Sequence, residues 1–399
     1  MKTRRTIALC LEYPLGQMGG MEVLVQQLAL GFPETIDLVL VSKDRSLAEV
    51  PADYRHRFKA HFYWSPEEAS PFVARTLVEN LRQAGVDLVH FHLGGNYSWE
   101  THKFWHCPVF YCRRKKMPYL LTTHKVFPVL MGYSKPWRWV SSRVLLLAKA
   151  WLSRAIILRN TPLELTVSKH DAQAMKRIFP PWRTRFRHLY HSRLSLTNGL
   201  ENAPTSPPRQ KVILCAGTVC ELKGHHVLLR AFARIAPYYP DWTIELVGRR
   251  DEGPFQKELD RLIAALPNPK QIRYAGVISD FALLRDRFRT AAICVQPSLV
   301  EGLGLAIQEA LSLGCPAIGS DVGGIPEMIK SGLNGLLVPA NNVEALAAAL
   351  NRLMGDDELR QKMGRAAPAE IQRLRMTRED MISQYLEIYD SLLAKAQAA

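Results

Sequence analysis

The sequence has 399 residues, and no uninterrupted apolar run in it reaches the ~20 residues that cross a bilayer. The most apolar stretch, Val144–Leu158, is broken by Lys149 and Arg154. The apolar run near the start is short and contains Glu12, so we expect no signal peptide. These absences predict a cytoplasmic protein without a membrane span, which could still bind peripherally to the inner face of the cytoplasmic membrane.

The sequence has only seven cysteines, an odd number that does not suit a framework of disulfides. It also has no standard metal-binding or dinucleotide-binding motif. Several of the seven cysteines lie inside apolar runs, as Cys215 and Cys294 do, which predicts small buried residues in a reducing compartment. The absence of Asp-x-Asp predicts metal-independent chemistry, and the absence of GxGxxG disfavours a nicotinamide site. His102, His106, Cys107 and Cys112 leave a zinc site as an alternative, although their spacing is not that of a standard finger.

Acidic residues are scarce in one region only. The formal net charge is +15, yet residues 201–399 hold 23 residues of each sign, whereas residues 101–200 hold 19 basic and 2 acidic ones. Between 113 and 159 the basic residues, Arg154 among them, alternate with tryptophan and aliphatic residues, which predicts binding to an anionic membrane surface. The alternative is a core helix with a solvated outer face. No nucleic-acid module is recognisable, so nucleic acid is not the expected partner.

Short apolar runs alternate with helical patterns along the whole chain, which is typical of an α/β fold with parallel sheets. Two such series predict two Rossmann-like, doubly wound domains that face each other across a cleft. The Pro- and Ser-rich stretch Asn198–Lys211 marks the boundary, giving an acceptor-side domain at 1–197 and a donor-binding domain at 198–376. A final helix at 377–399 has an apolar stripe that must cover one of the two domains.

The most informative segment is Gln296–Leu311, in which a strand is followed by Glu301, Gly302 and Gly304 and then by a helix that carries Glu309. The first turn of such a helix has unpaired N–H groups and favours a diphosphate. Glu309 lies five residues beyond Gly304, roughly 7.5 Å along the helix. The two glutamates could therefore hold hydroxyl groups on either side of a diphosphate. The alternative is an ordinary capped helix on the surface.

Other strand ends carry further candidates. Gly217, Thr218 and Lys223 follow one strand, and a lysine before a helix can bind phosphate as a point charge. The pair Gly19 and Gly20 precedes a helix and suits close approach to an anion. Histidines end two further strands, where each could contact a sugar hydroxyl or serve only a structural role; they are His90, His92 and His124.

Taken together, these segments resemble the family 4 glycosyltransferases, which are retaining enzymes with the GT-B fold. The resemblance rests on three motifs within about 210–355: GTVCELKG, PSLVEGLGLAIQEA and DVGGIPE. It implies that Glu301 contacts the transferred sugar, that Lys223 and the amides of Gly304 and Leu305 bind the diphosphate, and that Glu309 binds the ribose. It also implies that His124 lies near the sugar, that Gly20 lies near the phosphates, and that the final helix at 377–399 crosses back onto the N-terminal domain. Thr218 stands where many members have arginine, which leaves a second phosphate-binding cation unassigned.

The resemblance implies transfer of a hexose-type sugar from a nucleotide-diphosphate sugar to a glycan or lipid-linked acceptor, as in lipopolysaccharide or exopolysaccharide synthesis. No cofactor is expected, and a UDP-sugar is favoured over a GDP-sugar as donor. One alternative is a nucleotide-sugar epimerase or phosphorylase on the same fold. Another is a catalytically silent module that binds a sugar nucleotide or a lipid.

Overall fold

A computed structural model describes residues 4–15, 20–94, 104–124, 151–193, 208–250 and 252–398. Gly19, His102 and most of the basic segment predicted to bind membranes, residues 125–150, lie outside these ranges. The chain divides into two compact units: the first comprises 1–193 and 378–399, and the second comprises 194–377.

The first unit contains a seven-stranded parallel sheet with the order β3-β2-β1-β4-β5-β6-β7. Its strands are β1 (Arg5–Leu11), β2 (Ile36–Ser42), β3 (Phe58–Tyr63), β4 (Leu88–Leu93), β5 (Tyr119–Thr123), β6 (Glu164–Thr166) and β7 (Phe186–His188). Its helices are Gly20–Gly31, Ala52–Arg55, Pro71–Gln83, Pro108–Arg114, 151–158, Lys169–Ile178 and Arg378–Gln397.

The second unit contains a six-stranded parallel sheet with the order β10-β9-β8-β11-β12-β13. Its strands are β8 (Gln210–Ala216), β9 (Thr243–Val247), β10 (Ile272–Gly276), β11 (Ala291–Gln296), β12 (Ala317–Ser320) and β13 (Gly335–Val338). Its helices are His225–Ile235, Pro254–Ala264, Phe281–Thr290, Leu305–Ser312, Ile325–Met328, Val343–Gly355 and Asp357–Arg373.

The central strands of both sheets are apolar on both faces because helices cover them on either side, as continuous apolar runs predict. Each sheet reverses its strand order once, between β1 and β4 in the first unit and between β8 and β11 in the second. The predicted fold class, α/β with two doubly wound parallel sheets, is confirmed. Ligands of such sheets bind beyond the carboxyl ends of the strands at these reversal points.

The last helix packs on the first unit. Met381, Ile382 and Tyr385 of this helix are buried in the same apolar cluster as Ile7 and Leu9 of β1. An added Cβ at Gly31 would lie 2.6 Å from the end of the Ile382 side chain, which would then have to shift. The apolar stripe of the last helix thus covers the core of the first unit.

Two edge strands were absent from the sequence-based prediction. β3 is only partly buried and contains Lys59 and His61, so it lacks the continuous apolar run by which the inner strands were identified. β7 has three residues, which is too short to give a pattern.

Candidate functional site

The loops that follow β8 and β11 contain the main predicted site residues, and the two strands are neighbours in the sheet. The loop after β8 begins at Gly217 and ends in a short 3₁₀ turn, Glu221–Lys223. The loop after β11 leads through Glu301 to the helix Leu305–Ser312. A backbone hydrogen bond of 2.8 Å from Leu299 N to Leu222 O joins the two loops. The reversal of strand order therefore brings residues 78 positions apart in sequence to one place.

Lys223 and Glu301 form an ion pair at this place, with 2.6 Å between Nζ and Oε2. Their side chains are 26% and 11% exposed, so the pair is partly shielded but open to a ligand. The hydroxyl of Ser298 donates to the same Oε2 at 3.0 Å, and Gln296 Nε2 donates to that hydroxyl at 2.9 Å. The sequence predicts separate roles for Lys223 and Glu301, whereas the structure joins their side chains in one ion pair.

Two glycines allow the loops to pack this closely. Gly224 has φ +69°, and an added Cβ would lie 1.8 Å from the carbonyl oxygen of Pro297. Gly323, from the segment SDVGGIPE, has φ +56°, and its Cβ would lie 1.9 Å from the carbonyl oxygen of Glu301. Any side chain at either position would move the backbone that carries the ion pair. The three segments identified in the sequence thus meet at Glu301.

The helix after Glu301 has the expected start. Gly304 is its N-cap residue with φ +90°, Leu305 is its first residue, and Gly302 accepts a 2.8 Å hydrogen bond from Gly324 N. Glu309 follows within the helix and is only 1% exposed. A ribose at this place could therefore touch only a small part of the Glu309 side chain. The binding roles of these residues remain predictions.

The start of the loop after β8 lies beside the end of β9. Gly217 donates to Val247 O at 2.8 Å, and both Gly217 and Thr218 are half-buried. His225, two residues after Lys223, is buried, and burial lowers its pKa to about 4. His225 is therefore neutral near physiological pH, so it adds no charge beside the Lys223 ammonium.

The remaining candidates belong to the first unit. Gly20 is exposed and begins the helix Gly20–Gly31, whereas Gly19 lies outside the described residues. His124 directly follows β5 and is half-buried, with its Nε2 atom 3.3 Å from Nδ1 of His92. His90 is fully buried between Tyr389 and Thr122, with both contacts at 2.7 Å, and serves the structural role that was left open for it.

Three residues near the candidate site were not singled out in the sequence. Gln296 and Ser298 hold the carboxylate of Glu301, and the QPS segment after the apolar run of β11 was a signal that could have indicated them. His191 lies with its ring 5.2 Å from the ring of His124. It follows the strand β7, which has only three residues and is too short to show a pattern.

One residue of the predicted basic membrane-binding block is placed differently by the structure. Arg154 is fully buried and forms an ion pair with the equally buried Glu164, to which Thr123 also donates at 2.6 Å. Because its charge is neutralised inside the protein, the expectation that Arg154 contributes to an exposed basic surface is wrong. Arg113, Arg114 and Lys116 are exposed, as are Trp151 and Leu152, while residues 125–150 lie outside the described ranges.

The described residues also bear on the zinc site and on the membrane span considered from the sequence. In the described parts of the chain, no group of three or more His, Cys, Asp or Glu side chains is arranged to hold a metal ion. Cys107 and Cys112, two of the zinc candidates, are buried free thiols. No helix among the described residues is long and apolar enough to cross a membrane.

Comparison with known proteins identifies two families. Residues 200–370 match "Glycosyl transferases group 1", and residues 18–190 match "Glycosyltransferase Family 4". The chain is 32% identical over 202 residues to a D-inositol 3-phosphate glycosyltransferase of Corynebacterium urealyticum, covering 49% of this chain and 46% of the relative. It is 28% identical to the lipopolysaccharide core biosynthesis mannosyltransferase LpcC of Rhizobium leguminosarum bv. viciae, covering 51% and 57%. The chain thus spans about half the length of these curated relatives.

Solved structures show the same fold over nearly the whole chain. The sucrose-phosphate synthase of Thermosynechococcus elongatus has a TM-score of 0.73 at 20% identity, with 98% of this chain and all of that one covered. Anabaena HepE, solved in complex with UDP and glucose, has a TM-score of 0.72 at 19% identity, with 97% and 100% covered. The fold therefore defines the class as GT-B. The two family matches together cover most of the chain, which belongs to the family 4 glycosyltransferases.

Proposed function

We propose that this protein is a retaining, metal-independent glycosyltransferase that moves a hexose-type sugar from a nucleotide-diphosphate sugar to a glycan or lipid-linked acceptor. The observation that carries the proposal is the Lys223–Glu301 pair beside the N-terminus of the helix Leu305–Ser312. It combines a cation, a carboxylate and unpaired backbone N–H groups where a parallel sheet binds its ligands. The cation and the N–H groups can bind a diphosphate, and the carboxylate can accept hydrogen bonds from the hydroxyl groups of a sugar.

Lys223 would stabilise the leaving group. Breaking the sugar–phosphate bond leaves growing negative charge on the nucleoside diphosphate. The ammonium group has three donors, and one is engaged by Glu301, so it can keep that contact while it donates to phosphate. The amides of Gly304 and Leu305 would add preorganised donors. The leaving phosphate would then help to deprotonate the acceptor on the same face of the sugar, which gives the retaining outcome.

Glu301 and Glu309 would hold hydroxyl groups. In the described residues, the contacts of Glu301 with Lys223 and Ser298 both fall on Oε2, so we expect Oε1 to accept from hydroxyls of the transferred sugar. Glu309 would accept from the ribose, and His124 would contact the sugar from the first unit. Gly19, Gly20, Gly217, Thr218 and Gly302 would allow the backbone to approach the donor.

The names of similar proteins support one class of sugar donor and one class of acceptor for the proposed reaction. HepE was solved with UDP and with UDP-glucose, which supports a UDP-sugar over a GDP-sugar. The relative LpcC is named for lipopolysaccharide core biosynthesis, which supports a lipid-linked glycan acceptor of the lipopolysaccharide or exopolysaccharide type. Thermal-shift screening with UDP, GDP and their sugars would test the donor, since a ligand at 100 times its Kd adds about 2.7 kcal/mol.

A lipid-linked acceptor would require the cytoplasmic enzyme to work at a membrane surface. The exposed residues Arg113, Arg114, Trp151 and Leu152 support peripheral binding through the segment 113–159. Flotation with liposomes should show binding that increases with the fraction of anionic lipid and decreases with salt. Equal binding to neutral liposomes would contradict the electrostatic part of this proposal.

Release of nucleoside diphosphate from a UDP-sugar, measured with and without a glycan acceptor and with and without EDTA, tests the activity itself. A transferase releases the diphosphate together with a glycosylated product, and EDTA leaves the rate unchanged. An epimerase would change the donor sugar without releasing the diphosphate, and a phosphorylase would require inorganic phosphate. Binding of the donor without turnover of any kind would identify a catalytically silent module.

A further inference from the structure

Four histidine side chains lie together in the first unit, within or shortly after strands of its sheet. His90 and His92 come from β4, His124 follows β5, and His191 lies shortly after β7. The distances between ring centroids are 4.0 Å for His90–His92, 5.6 Å for His92–His124 and 5.2 Å for His124–His191. His90, His92 and His191 are buried, and His124 is half-buried. The cluster therefore connects the predicted sugar contact His124 to the interior.

Two members of the cluster, His90 and His191, form hydrogen bonds with side chains outside it. His90 has its Nδ1 atom 2.7 Å from the hydroxyl of Tyr389 and its Nε2 atom 2.7 Å from that of Thr122. His191 has its Nε2 atom 3.0 Å from the hydroxyl of Tyr385. Because both nitrogens of His90 are engaged, His90 meets His92 only through its ring. The nitrogen-to-nitrogen contact of His92 is thus with His124.

The two ring nitrogens of His92 have different surroundings. Its Nδ1 atom lies 3.3 Å from Nε2 of His124, whereas its own Nε2 atom is buried and has no hydrogen-bond partner among the described residues. Burial lowers the pKa of His92 well below 6.5, so the ring is neutral and carries one proton. A proton on Nε2 would leave a buried N–H without an acceptor. A proton on Nδ1 makes the bond to His124 and leaves only a lone pair unused, which is the less costly arrangement.

We infer that His92 donates its Nδ1–H to Nε2 of His124 and thereby fixes His124 in the tautomer that carries its proton on Nδ1. His92 is then a positioning residue for His124. The consequence for catalysis rests on the proposed function: His124 would offer the sugar a hydrogen-bond donor from Nδ1 and would not serve as a base through Nε2. A donor that points to a hydroxyl oxygen stabilises the bound sugar without removing a proton from it.

The tautomers can be read directly from the full chain labelled with ¹⁵N-histidine. Long-range ¹H–¹⁵N spectra near neutral pH distinguish a proton on Nδ1 from one on Nε2, and the signals of His92 and His124 are assigned from single substitutions. We expect both rings to be neutral with the proton on Nδ1. A proton on Nε2 of either ring would overturn the inference. Because this measurement needs no substrate, it decides the inference even if the proposed transferase activity is absent.

Two substitutions of His92 test its effect on His124. His92→Asn places an amide nitrogen close to the position of Nδ1, whereas His92→Gln places it close to that of Nε2. We expect His92→Asn to retain the His124 tautomer and the wild-type turnover. His92→Gln should give mixed tautomers and about tenfold lower kcat with a similar donor KM, as for loss of one hydrogen bond. The inference is wrong if both variants keep the His124 tautomer unchanged.

Discussion

The two units place candidate functional residues at the same point of the same topology, yet they use opposite chemistry there. In the first unit, β4 beside the reversal contains the buried imidazoles of His90 and His92, and His191 follows the edge strand β7. Burial lowers the pKa of all three well below 6.5. In the second unit, the strands end in the partly exposed charged pair Lys223–Glu301. A parallel sheet thus provides the position, while the loops after its strands determine whether the site is neutral and closed or charged and open.

An ion pair that is shielded on both sides lies in each unit, and the two pairs differ in exposure. Arg154 and Glu164 in the first unit are both fully buried, whereas Lys223 and Glu301 in the second retain 26% and 11% exposure. A buried pair is costly to break because the remaining charge has no water around it. An exposed pair contributes little to stability but is free to meet a ligand. We therefore expect the first pair to maintain the fold and the second to serve activity.

The largest effect on stability is expected from Arg154→Met. The substitution leaves the Glu164 carboxylate buried without its cation, which costs about 3–5 kcal/mol of unfolding free energy. Denaturant unfolding measures this loss. The double variant Arg154→Met, Glu164→Gln is the matched control and should recover a large part of it, because no uncompensated charge remains. A single variant within about 1 kcal/mol of wild type would contradict the structural role of this pair.

Lys223→Ala should affect activity rather than stability. Loss of a group that stabilises the leaving diphosphate lowers turnover on the order of 10²-fold, as for loss of one oxyanion donor. The unfolding free energy should change by only about 1 kcal/mol because the pair is partly exposed. Lys211→Ala is the matched control, since Lys211 pairs with Asp241 and both side chains are more than half exposed. Unchanged turnover of the Lys223 variant would exclude its proposed role.

Glycine substitutions separate backbone strain from close packing at the charged pair. Gly323 and Gly332 both have positive φ, +56° and +87°, but only Gly323 lies against Glu301, whereas nothing lies within 4 Å of a Cβ on Gly332. Both alanine variants should lose about 1–2 kcal/mol from the left-handed backbone. Gly323→Ala should lose about 1–3 kcal/mol more from crowding and should also lower turnover. Equal unfolding free energies and equal turnover for the two variants would contradict this distinction.

The inner strands and the segments after them could be predicted from the sequence because their signals are local. Buried parallel strands such as β8 and β11 give continuous apolar runs, and the glycines and charged residues follow directly. The helix Arg378–Gln397 was equally clear from its apolar stripe. Edge strands such as β3 gave no such run, since one of their sides has no neighbouring strand and polar residues are tolerated.

Contacts between distant segments could not be predicted. The sequence suggested Lys223 and Glu301 singly, but not their ion pair, because nothing local specifies a partner 78 positions away. For the same reason Arg154 was counted as a surface charge. Its partner Glu164 is ten positions away on β6, and only the packed structure shows that both are buried. Burial of a charge depends on the neighbours that surround it and not on the residue type.

The smallest expected effect per residue is the loss of unfolding free energy on acidification. It tests whether the buried histidines of the first unit are neutral in the folded protein. Burial lowers the pKa of four described histidines there, His61, His90, His92 and His191, and of two in the second unit, His225 and His226. Below 6.5 the unfolded chain takes up protons that these folded imidazoles exclude, so stability falls as the pH falls. An imidazole that excludes the proton when folded contributes about 1.4 kcal/mol to this fall per pH unit once the unfolded ring is fully protonated, and about half of that at pH 6.5. Carboxylates titrate mainly at lower pH, so the first unit should lose stability more steeply than the second just below pH 6.5.

Hydrogen exchange followed by mass spectrometry reports the opening of each unit separately and can measure this difference. His191→Phe removes one titrating ring, and the loss of stability of the first unit over one pH unit below 6.5 should shrink by about 1 kcal/mol. The stability of this variant near neutral pH changes for a second reason, because the Tyr385 hydroxyl loses the His191 contact, so only the slope against pH is compared. Parallel decreases in both units, with no change in slope for His191→Phe, would show that the imidazoles of the first unit are protonated in the folded protein. The contrast between a neutral and a charged strand end would then be wrong.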